Sequence, residues 1–520
     1  MMSDSSALID SLTDPRAYPE LPDEVRVFET HMSWVLLAGG HAYKIKKPID
    51  LAFADFSTLD RRGHFCREEI RLNRRLAPRL YLGVVPIYGS SRAPRFVPGG
   101  NPIEYAVKME RFDQRQLLPQ VLGRGELTAE HIERLAADVA DFHQRVEVAG
   151  EDTRFGRAES IRMRMEDNFH ELLESGALHD GRAEIRRLRE VCRHSFDRRC
   201  ETFRARKAAG FVRECHGDMH LGNMVLLDDE VVVFDAIEFN EDLRWIDVLS
   251  EIAFAAMDLA HRGRHGLSGR FVNRYLERTG DYEHLELLPF YTAYRALVRA
   301  KVGAIRAAQE RENAGREEPE LLGEVERYIA LAGEAMSAPA PRLLITHGPS
   351  GSGKTAGSTA VVERGGYVRI RSDVERKRLA GLQEDVRTES RFEEGLYSVA
   401  ATRACYRRLA ELAAAILRAG YSVIVDAAFL KRWQRDLFRA TARRCGVPWR
   451  IVEFRAPVSV LRARVTRRSR TASDPSEADL AVLEKQLASA EPLSASERES
   501  AVIVGTDTEP PEAVKARVVP

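Results

Sequence analysis

The sequence predicts two fold classes in one chain: an α+β amino-terminal part in two lobes, then an α/β carboxyl-terminal part built on a parallel sheet. Three observations carry this. Residues 25–47 alternate apolar and polar positions around Gly39-Gly40, as in VRVFE, SWVLLAG and HAYKIKK, the pattern of antiparallel strands. From residue 342 onward, apolar strands alternate with helices, the order that gives parallel strands joined by crossover helices. Between the two, SAPAP at 337–341 interrupts the helical pattern with two prolines, and the strand RLLITH starts directly after it.

Bulk properties narrow the class. At 520 residues the chain exceeds one ordinary core, and the length suggests roughly three domains or lobes. A composition of 44% hydrophobic and 30% charged residues is that of a globular protein. No stretch approaches the ~20 uninterrupted apolar residues of a membrane span. The start, MMSDSSALIDSLTDP, lacks a basic and an apolar leader region, so the expected location is cytoplasmic. Six cysteines (Cys66, Cys192, Cys200, Cys215, Cys405, Cys445) show no C-x-x-C spacing, which argues against a zinc cage or a disulfide framework. The zero formal net charge conceals an asymmetry: residues 342–520 hold 31 Lys+Arg against 22 Asp+Glu, and the remainder 48 against 57. The basic third suits an anionic ligand such as a nucleotide, and the acidic remainder suits solubility or a cationic small molecule. A solvated surface without a message reads equally well.

Within the first part, the strands of 25–47 precede a helix from residue 58 or 60 to 77, stopped by Pro78. Strands resume at YLGVVPIYG and IEYAVKMERF. A mostly helical stretch follows, with Thr128 as N-cap of TAEHIERLAADVADFHQRV and Arg-rich segments from 159 to 208. A strand at 211–215 delivers HGDMHLGN to a loop, two short strands follow at 224–227 and 231–235, and helices then dominate to about 335. In the second part the order is strand, glycine loop, helix, strand at YVRIRSD, long helix near 391–419, strand YSVIVDAAF, helix 430–445, strand WRIVEF and helix 457–470.

In HGDMHLGN, Asp218 precedes Asn223 by five residues, the spacing of kinase catalytic loops. Asp218 can orient or deprotonate an acceptor hydroxyl, Asn223 can bind Mg²⁺, and Asp235, closing the strand VVVF, supplies a second metal ligand with Glu238 nearby as an understudy. The segment resembles aminoglycoside phosphotransferases and related small-molecule kinases of the bilobal protein-kinase fold. That resemblance implies an N-lobe over about 20–112 and a C-lobe over about 113–336. It implies that Lys44, preferred to Lys46, pairs with the α/β-phosphates and with Glu69 (or Glu68), and that Met109, Glu110 and the residues to Phe112 form the hinge holding adenine. Two departures disfavour a protein kinase: Ala38-Gly39-Gly40-His41 stands where a G-x-G-x-x-G loop would be, and Ala236-Ile237 follows Asp235 in place of Phe-Gly. Arg244 and Asp247 are expected to form a structural ion pair beneath the loop.

GPSGSGKT at 348–355 satisfies G-x-x-x-x-G-K-[ST] between a strand and a helix. In such a P-loop (Walker A) the backbone N–H groups of Gly348, Ser350, Gly351, Ser352 and Gly353 wrap the phosphates of ATP or GTP, Lys354 reaches the β- and γ-phosphates and Thr355 ligates Mg²⁺. Asp373 lies just after the next strand, where it acts as a base toward an acceptor hydroxyl or merely caps a helix; Arg376, one turn on, is placed to hold an anionic group. Asp426 ends the strand VIVD as a partner of Mg²⁺ or its water, or as the start of a turn. In LRARVTRRSR, Arg462, Arg464, Arg467, Arg468 and Arg470 precede Ser473-Asp474-Pro475 and suit a flap that neutralises a transferring phosphoryl group; a nucleic-acid stripe or a solvated helix face are the rival readings.

These residues resemble the small P-loop kinases that include gluconate and chloramphenicol kinases, zeta toxins and polynucleotide kinases, over roughly 342–490. End to end, a kinase-like half at 1–336, a Pro/Ala linker at 337–341 and a P-loop half at 342–520 are similar to a bacterial fusion of an aminoglycoside phosphotransferase-like domain with an ATP-binding domain. The expectation is an ATP- and Mg²⁺-dependent, bifunctional phosphotransferase acting on hydroxyls of small molecules, with nucleic acid the less favoured acceptor. Its alternative is a P-loop ATPase switch or polynucleotide kinase coupled to a non-catalytic, kinase-like ligand-binding domain.

Overall fold

A computed structural model of the chain describes residues 2–51, 54–175, 181–314, 319–337, 339–384, 386, 398–469, 479–510 and 517–518. By contacts it divides into two compact units, Met1–Ile161 with Arg204–Ala255, and Arg162–Phe203 with Ala256–Pro520. All strands of the antiparallel sheet precede residue 337 and all strands of the parallel sheet follow residue 341, but compactness follows packing rather than chain order. Helix His265–Thr279, well before that segment, packs on strand Tyr367–Arg371 and belongs to the second unit.

The first unit contains a six-stranded sheet in the order Val25–Glu29, Ser33–Ala38, His41–Lys46, Glu104–Glu110, Tyr81–Ser90 and Ala93–Arg95, with every adjacent pair antiparallel. Both faces of its centre are covered. Tyr43 and Ile45 join a cluster with Leu8, Ile9 and Leu12, reached by an amino-terminal helix Met2–Ser11 that sequence reading did not anticipate. Ala42 lies on the other face, in a cluster with Cys66 and Ile70 of helix Leu59–Asn73. Strand alternation therefore places Lys44 and Lys46 on the helix-covered face, away from open solvent. Thr58 caps that helix, accepting from Arg61 N at 3.3 Å. It ends at Asn73, short of the expected 77: the residue before Pro78 is biased out of the helical region, and residues 74–76 form turns.

Helix Ala129–Arg145 starts at Thr128 with a capping box completed by His131. Strand Val212–Glu214 pairs with Trp245–Asp247, and hairpin Met224–Leu227/Glu230–Val233 turns through Asp228 and Asp229, both at positive φ as a tight hairpin requires.

The second unit carries a parallel five-stranded sheet in the order Tyr367–Arg371, Ser422–Asp426, Leu343–His347, Trp449–Arg455, Ala501–Gly505. The fifth strand was not anticipated, although AVIVG is rich in β-formers. The helix expected near 391–419 runs Val399–Arg418 among the described residues, capped by Ser398; 391–397, Ala338, Arg470 and Ser473-Asp474-Pro475 lie outside them. No described helix is long and apolar enough to cross a membrane.

Candidate active sites

In the first unit, a cavity of about 650 Å³ is lined by Lys44, Met109, Glu110, Asp218, Asn223, Asp235 and Glu238, with Val35, Leu37, Ala42 and Phe234 forming an apolar wall. The loop bearing Asp218 is held from behind. Gly217 sits at φ +91°, and a Cβ there would fall 2.8 Å from Leu243 O, so the turn needs glycine. Buried Glu251 accepts the N–H groups of His216 at 2.5 Å and Gly217 at 3.0 Å. His216 Nε2 lies 2.9 Å from Phe234 O, which can only accept, so Nε2 carries the proton and Nδ1 accepts from Asp218 N at 3.3 Å. Burial drives the His216 pKa down to about 4, consistent with this neutral tautomer. Asn223 Nδ2 donates to the Asp218 carboxylate at 2.9 Å and to its carbonyl at 3.0 Å, leaving Oδ1 as the amide's acceptor atom.

Asp235 lies two residues beyond its strand, at φ +64°, with its N–H donated to Tyr81 Oη at 3.1 Å. Lys44 Nζ is 2.5 Å from Asp235 Oδ1 and 2.9 Å from Glu69 Oε1. Burial works against the Lys44 ammonium, but the charges of Asp235, Glu69 and Glu238 outweigh it and hold its pKa well above the ordinary value. Lys46 is the more deeply buried lysine, bonded to Glu69 Oε2 at 2.7 Å and to Glu238. Burial opposes the Glu69 charge, and the two lysines prevail, bringing its pKa down to about 2. Of the alternatives left open by the sequence, Lys44 rather than Lys46 lines the cavity, and Glu69 rather than Glu68 faces inward; Glu68 pairs with Arg71 at 2.9 Å. Glu238 is engaged by Lys46.

The expected Arg244–Asp247 pair does not form. Asp247 takes both its oxygens to Arg206 at 2.7 and 2.9 Å, and Arg244 turns to Glu214 at 3.2 Å. Antiparallel pairing sets Asp247 opposite Val212 and Trp245 opposite Glu214, which carries Arg244 toward Glu214 and Asp247 away from it. Sequence reading also missed Glu251, Asn73 and Tyr81. Asn73 Oδ1 accepts Ala236 N at 2.8 Å, fixing the residue after Asp235. A lone carboxylate inside the apolar run VLSEIAFAAM was the available signal for Glu251, since a buried charge must find donors.

In the second unit, Leu343–His347 leads into 348–355 and helix Lys354–Val362 follows. Gly348, Gly351 and Gly353 have φ of +150°, +80° and +90°, and a Cβ on Gly348 would meet Ser352 Oγ at 2.6 Å. The loop is thus curled ahead of the helix. Ser350 N–H donates to Gln486 at 2.8 Å, and Lys354 Nζ folds back to Pro349 O at 2.8 Å. A cavity of about 350 Å³ is lined by Ser350, Lys354, Thr355, Asp373, Arg376 and Asp426, together with Arg371, Arg403, Tyr406, Lys431 and Trp433. Asp373 stands in the first turn of helix Ser372–Leu379, whose N-cap is Arg371, so it is not the cap. Arg376 Nη1 donates to Thr402 at 3.2 Å, and Asp426 accepts from Ser358 at 3.1 Å.

Among the flap arginines, Arg464 is tied to Gly351 O at 3.3 Å and to Thr506 Oγ1 at 2.9 Å, which makes it a brace of the loop. Arg462 pairs with Glu484 at 2.7 Å on the surface, Arg467 is exposed, and the Arg468 side chain lies outside the described residues.

Both cavities offer hard oxygen donors suited to Mg²⁺: an amide oxygen and a carboxylate from Asn223 and Asp235, a hydroxyl and a carboxylate from Thr355 and Asp426. Among the described residues, His143, Cys215 and Glu251 also lie close enough to share an ion. Glu251 is already committed to the loop amides, so this trio reads as packing.

A kinase-like fold with an antiparallel sheet, joined to a parallel-sheet P-loop kinase fold, defines a phosphotransferase of the kinase class. Comparison with known proteins agrees: residues 59–288 match the phosphotransferase enzyme family, and residues 343–493 match an AAA domain family. The chain is 32% identical over 454 residues to the uncharacterized protein Rv2004c of Mycobacterium tuberculosis (strain ATCC 25618 / H37Rv), covering 86% of this chain and 87% of that one. Uncharacterized protein Mb2027c of Mycobacterium bovis is similar to the same extent. The chain belongs to the family of these proteins, and itself carries an aminoglycoside phosphotransferase-like domain followed by a P-loop kinase domain. Similar solved structures include a choline/ethanolamine kinase family protein from Mesorhizobium loti (15% identity, 65% of this chain and 98% of that one, TM-score 0.39). Another is a gluconokinase from Sinorhizobium meliloti 1021 (23% identity, 34% and 89%, TM-score 0.25).

Proposed function

We propose that the protein holds two nucleotide-dependent phosphotransfer centres, one in the kinase-like domain at 1–336 and one in the P-loop domain at 342–520. The observation that carries this is that each set of expected residues surrounds a single cavity: Lys44, Asp218, Asn223 and Asp235 in one, Lys354, Thr355, Asp373, Arg376 and Asp426 in the other.

At the first centre, Val35, Leu37, Ala42 and Phe234 receive the adenine of ATP beside Met109 and Glu110, and Lys44 exchanges its Asp235 partner for phosphate oxygens. Asp218 takes the acceptor's hydroxyl proton as the acceptor oxygen bonds to the γ-phosphorus and the bridging P–O bond to ADP breaks. At the second centre the loop amides and Lys354 hold ATP or GTP, and Asp373 takes the proton in the same way. Mg²⁺, held by Asn223 and Asp235 or by Thr355 and Asp426, would supply charge neutralisation at the phosphates. The first cavity's carboxylates suit a sugar or aminoglycoside-like small molecule, whose hydroxyls and amines donate to them; a nucleotide-like acceptor suits the second. The second, with Arg371, Arg376 and Lys431, suits an acceptor that carries negative charge. Six free cysteines support a reducing compartment such as the cytoplasm.

Acceptor-stimulated ADP release, measured for Asp218→Asn and Lys354→Ala separately over sugars, aminoglycosides, nucleosides and RNA ends, tests the reading. Each variant should lose a different set of stimulating acceptors, and product masses should rise by ~80 Da, the mass of a phosphoryl group. Stimulation lost only with Lys354→Ala would reduce the first domain to a binding module, and no stimulation by any acceptor would reduce the second to a switch.

A further inference from the structure

Helix His265–Thr279 lies inside the stretch that matches the phosphotransferase family, 59–288, yet its polar face is spent on the P-loop fold. Gly266, Gly269, Arg270, Asn273, Arg274 and Glu277 recur at helical spacing and form one stripe. The glycines permit close approach to the end of the P-loop helix: a Cβ on Gly269 would lie 2.7 Å from Val362 O, and Arg270 pairs with Glu363 at 2.7 Å. Tyr367–Arg371 is an edge strand, and Asn273 serves it as a neighbouring peptide would. Its Oδ1 accepts Arg369 N–H at 2.6 Å, and its Nδ2 donates to Tyr367 O at 3.0 Å. One turn on, the Glu277 carboxylate, 3% exposed, meets Arg369 Nη2 and Arg371 Nη1, each at 3.3 Å, and Arg274 Nη1 at 4.0 Å. Burial opposes the Glu277 charge, and Arg369 and Arg371 overcome it, holding its pKa below the ordinary carboxylate value.

The geometry points to helix His265–Thr279 as a part of the second catalytic centre, with Glu277 the positioning residue that fixes strand Tyr367–Arg371 and the Arg371 guanidinium on the acceptor side. This rests on the reading of Asp373 as the base of that centre. Arg371 and Asp373 line one cavity and are two residues apart. A carboxylate that anchors Arg371 from behind keeps its charge from collapsing onto Asp373, and keeps the turn that presents Asp373 in register. A segment whose sequence aligns with one kinase family thus completes the other kinase.

The test uses the full chain in an Asp218→Asn background, so that phosphate released from MgATP reports the second centre, with Lys354→Ala as its inactive control. Glu277→Gln should raise amide hydrogen exchange across 367–373 at least tenfold while 343–347 stays as in the parent. It should also lower kcat for phosphate release at least tenfold with KM for ATP within threefold, because the 348–355 loop is held elsewhere. Glu277→Asp should restore most of both. Unchanged exchange at 367–373, a uniform rise across 343–347 as well, or equal losses in Gln and Asp variants would overturn the inference. If Lys354→Ala releases phosphate as fast as its parent, the second centre's assigned catalysis fails, and the exchange pattern alone still decides whether Glu277 holds the strand.

Discussion

Asn223 donates its side-chain amide to the Asp218 carboxylate at 2.9 Å, so one amide orients that carboxylate and keeps its own oxygen as an acceptor; under the proposed function these would be the base and the metal ligand. The pair binds base and ligand into one unit across five residues. Asp218→Asn should lower phosphotransfer at the first centre by about 10²–10⁴-fold, the range for loss of a positioned base. Thermal unfolding should move little, since the shape is kept. A variant that retains more than a tenth of the parental rate, read by acceptor-dependent ADP release, would remove Asp218 from the role of base.

Lys44 and Lys46 share Glu69 but should fail differently. Lys44→Met should weaken ATP binding at the first centre at least tenfold with modest loss of stability, because Lys46 still neutralises Glu69. Lys46→Met leaves Glu69 and Glu238 with one lysine among them in a buried setting. Breaking such a network costs about 3–5 kcal/mol. Urea unfolding and equilibrium nucleotide binding, run on both variants, separate the two outcomes.

Gly217→Ala asks for a left-handed residue with a methyl group 2.8 Å from Leu243 O. The expected loss is about 1–3 kcal/mol of stability, together with a fall in first-centre activity, because the strain falls on the residue next to Asp218. Gly40→Ala, where a Cβ meets nothing within 4 Å, is the matching control and should be close to neutral in the same melts.

Acid should destabilise both units, through buried His216 in the first and half-buried His347 in the second. His216 in the first unit and His347 in the second are each brought down from 6.5 to about 4 by burial. The unfolded chain therefore takes up these protons first as pH falls. Stability from each residue is fully present above about 6.5, declines through the window to about 4, and is then constant. For fully buried His216 the loss is about 3 kcal/mol. Urea midpoints at pH 7, 5.5 and 4.5 should fall in that order, and His216→Gln should flatten the slope.

Much of both sites was readable because their constraints are local. A loop of glycines between a strand and a helix can be inferred from 348–355 alone, since the left-handed φ values it needs belong to those residues. The five-residue interval from Asp218 to Asn223 likewise closes on itself. The alternation in HAYKIKK located Lys44 and Lys46 on one strand face. By itself it leaves the two equivalent; the preference for Lys44 came from the family resemblance, and its geometric basis lies in Asp235, 191 residues away, and in a helix that covers that face.

What the sequence by itself determined, then, was the pair of folds, the turns at 216–223 and 348–355 and the residues within a few positions of them, all set by backbone preferences and short-range spacing. The tertiary structure alone decided that Lys46 is spent on Glu69 and Glu238, that Arg244 and Asp247 part company for Glu214 and Arg206, and that helix His265–Thr279 serves the parallel sheet. Those outcomes turn on buried charges choosing partners. A charge taken from water accepts whichever opposite charge the packed elements bring within reach, and that choice is fixed only when distant segments meet.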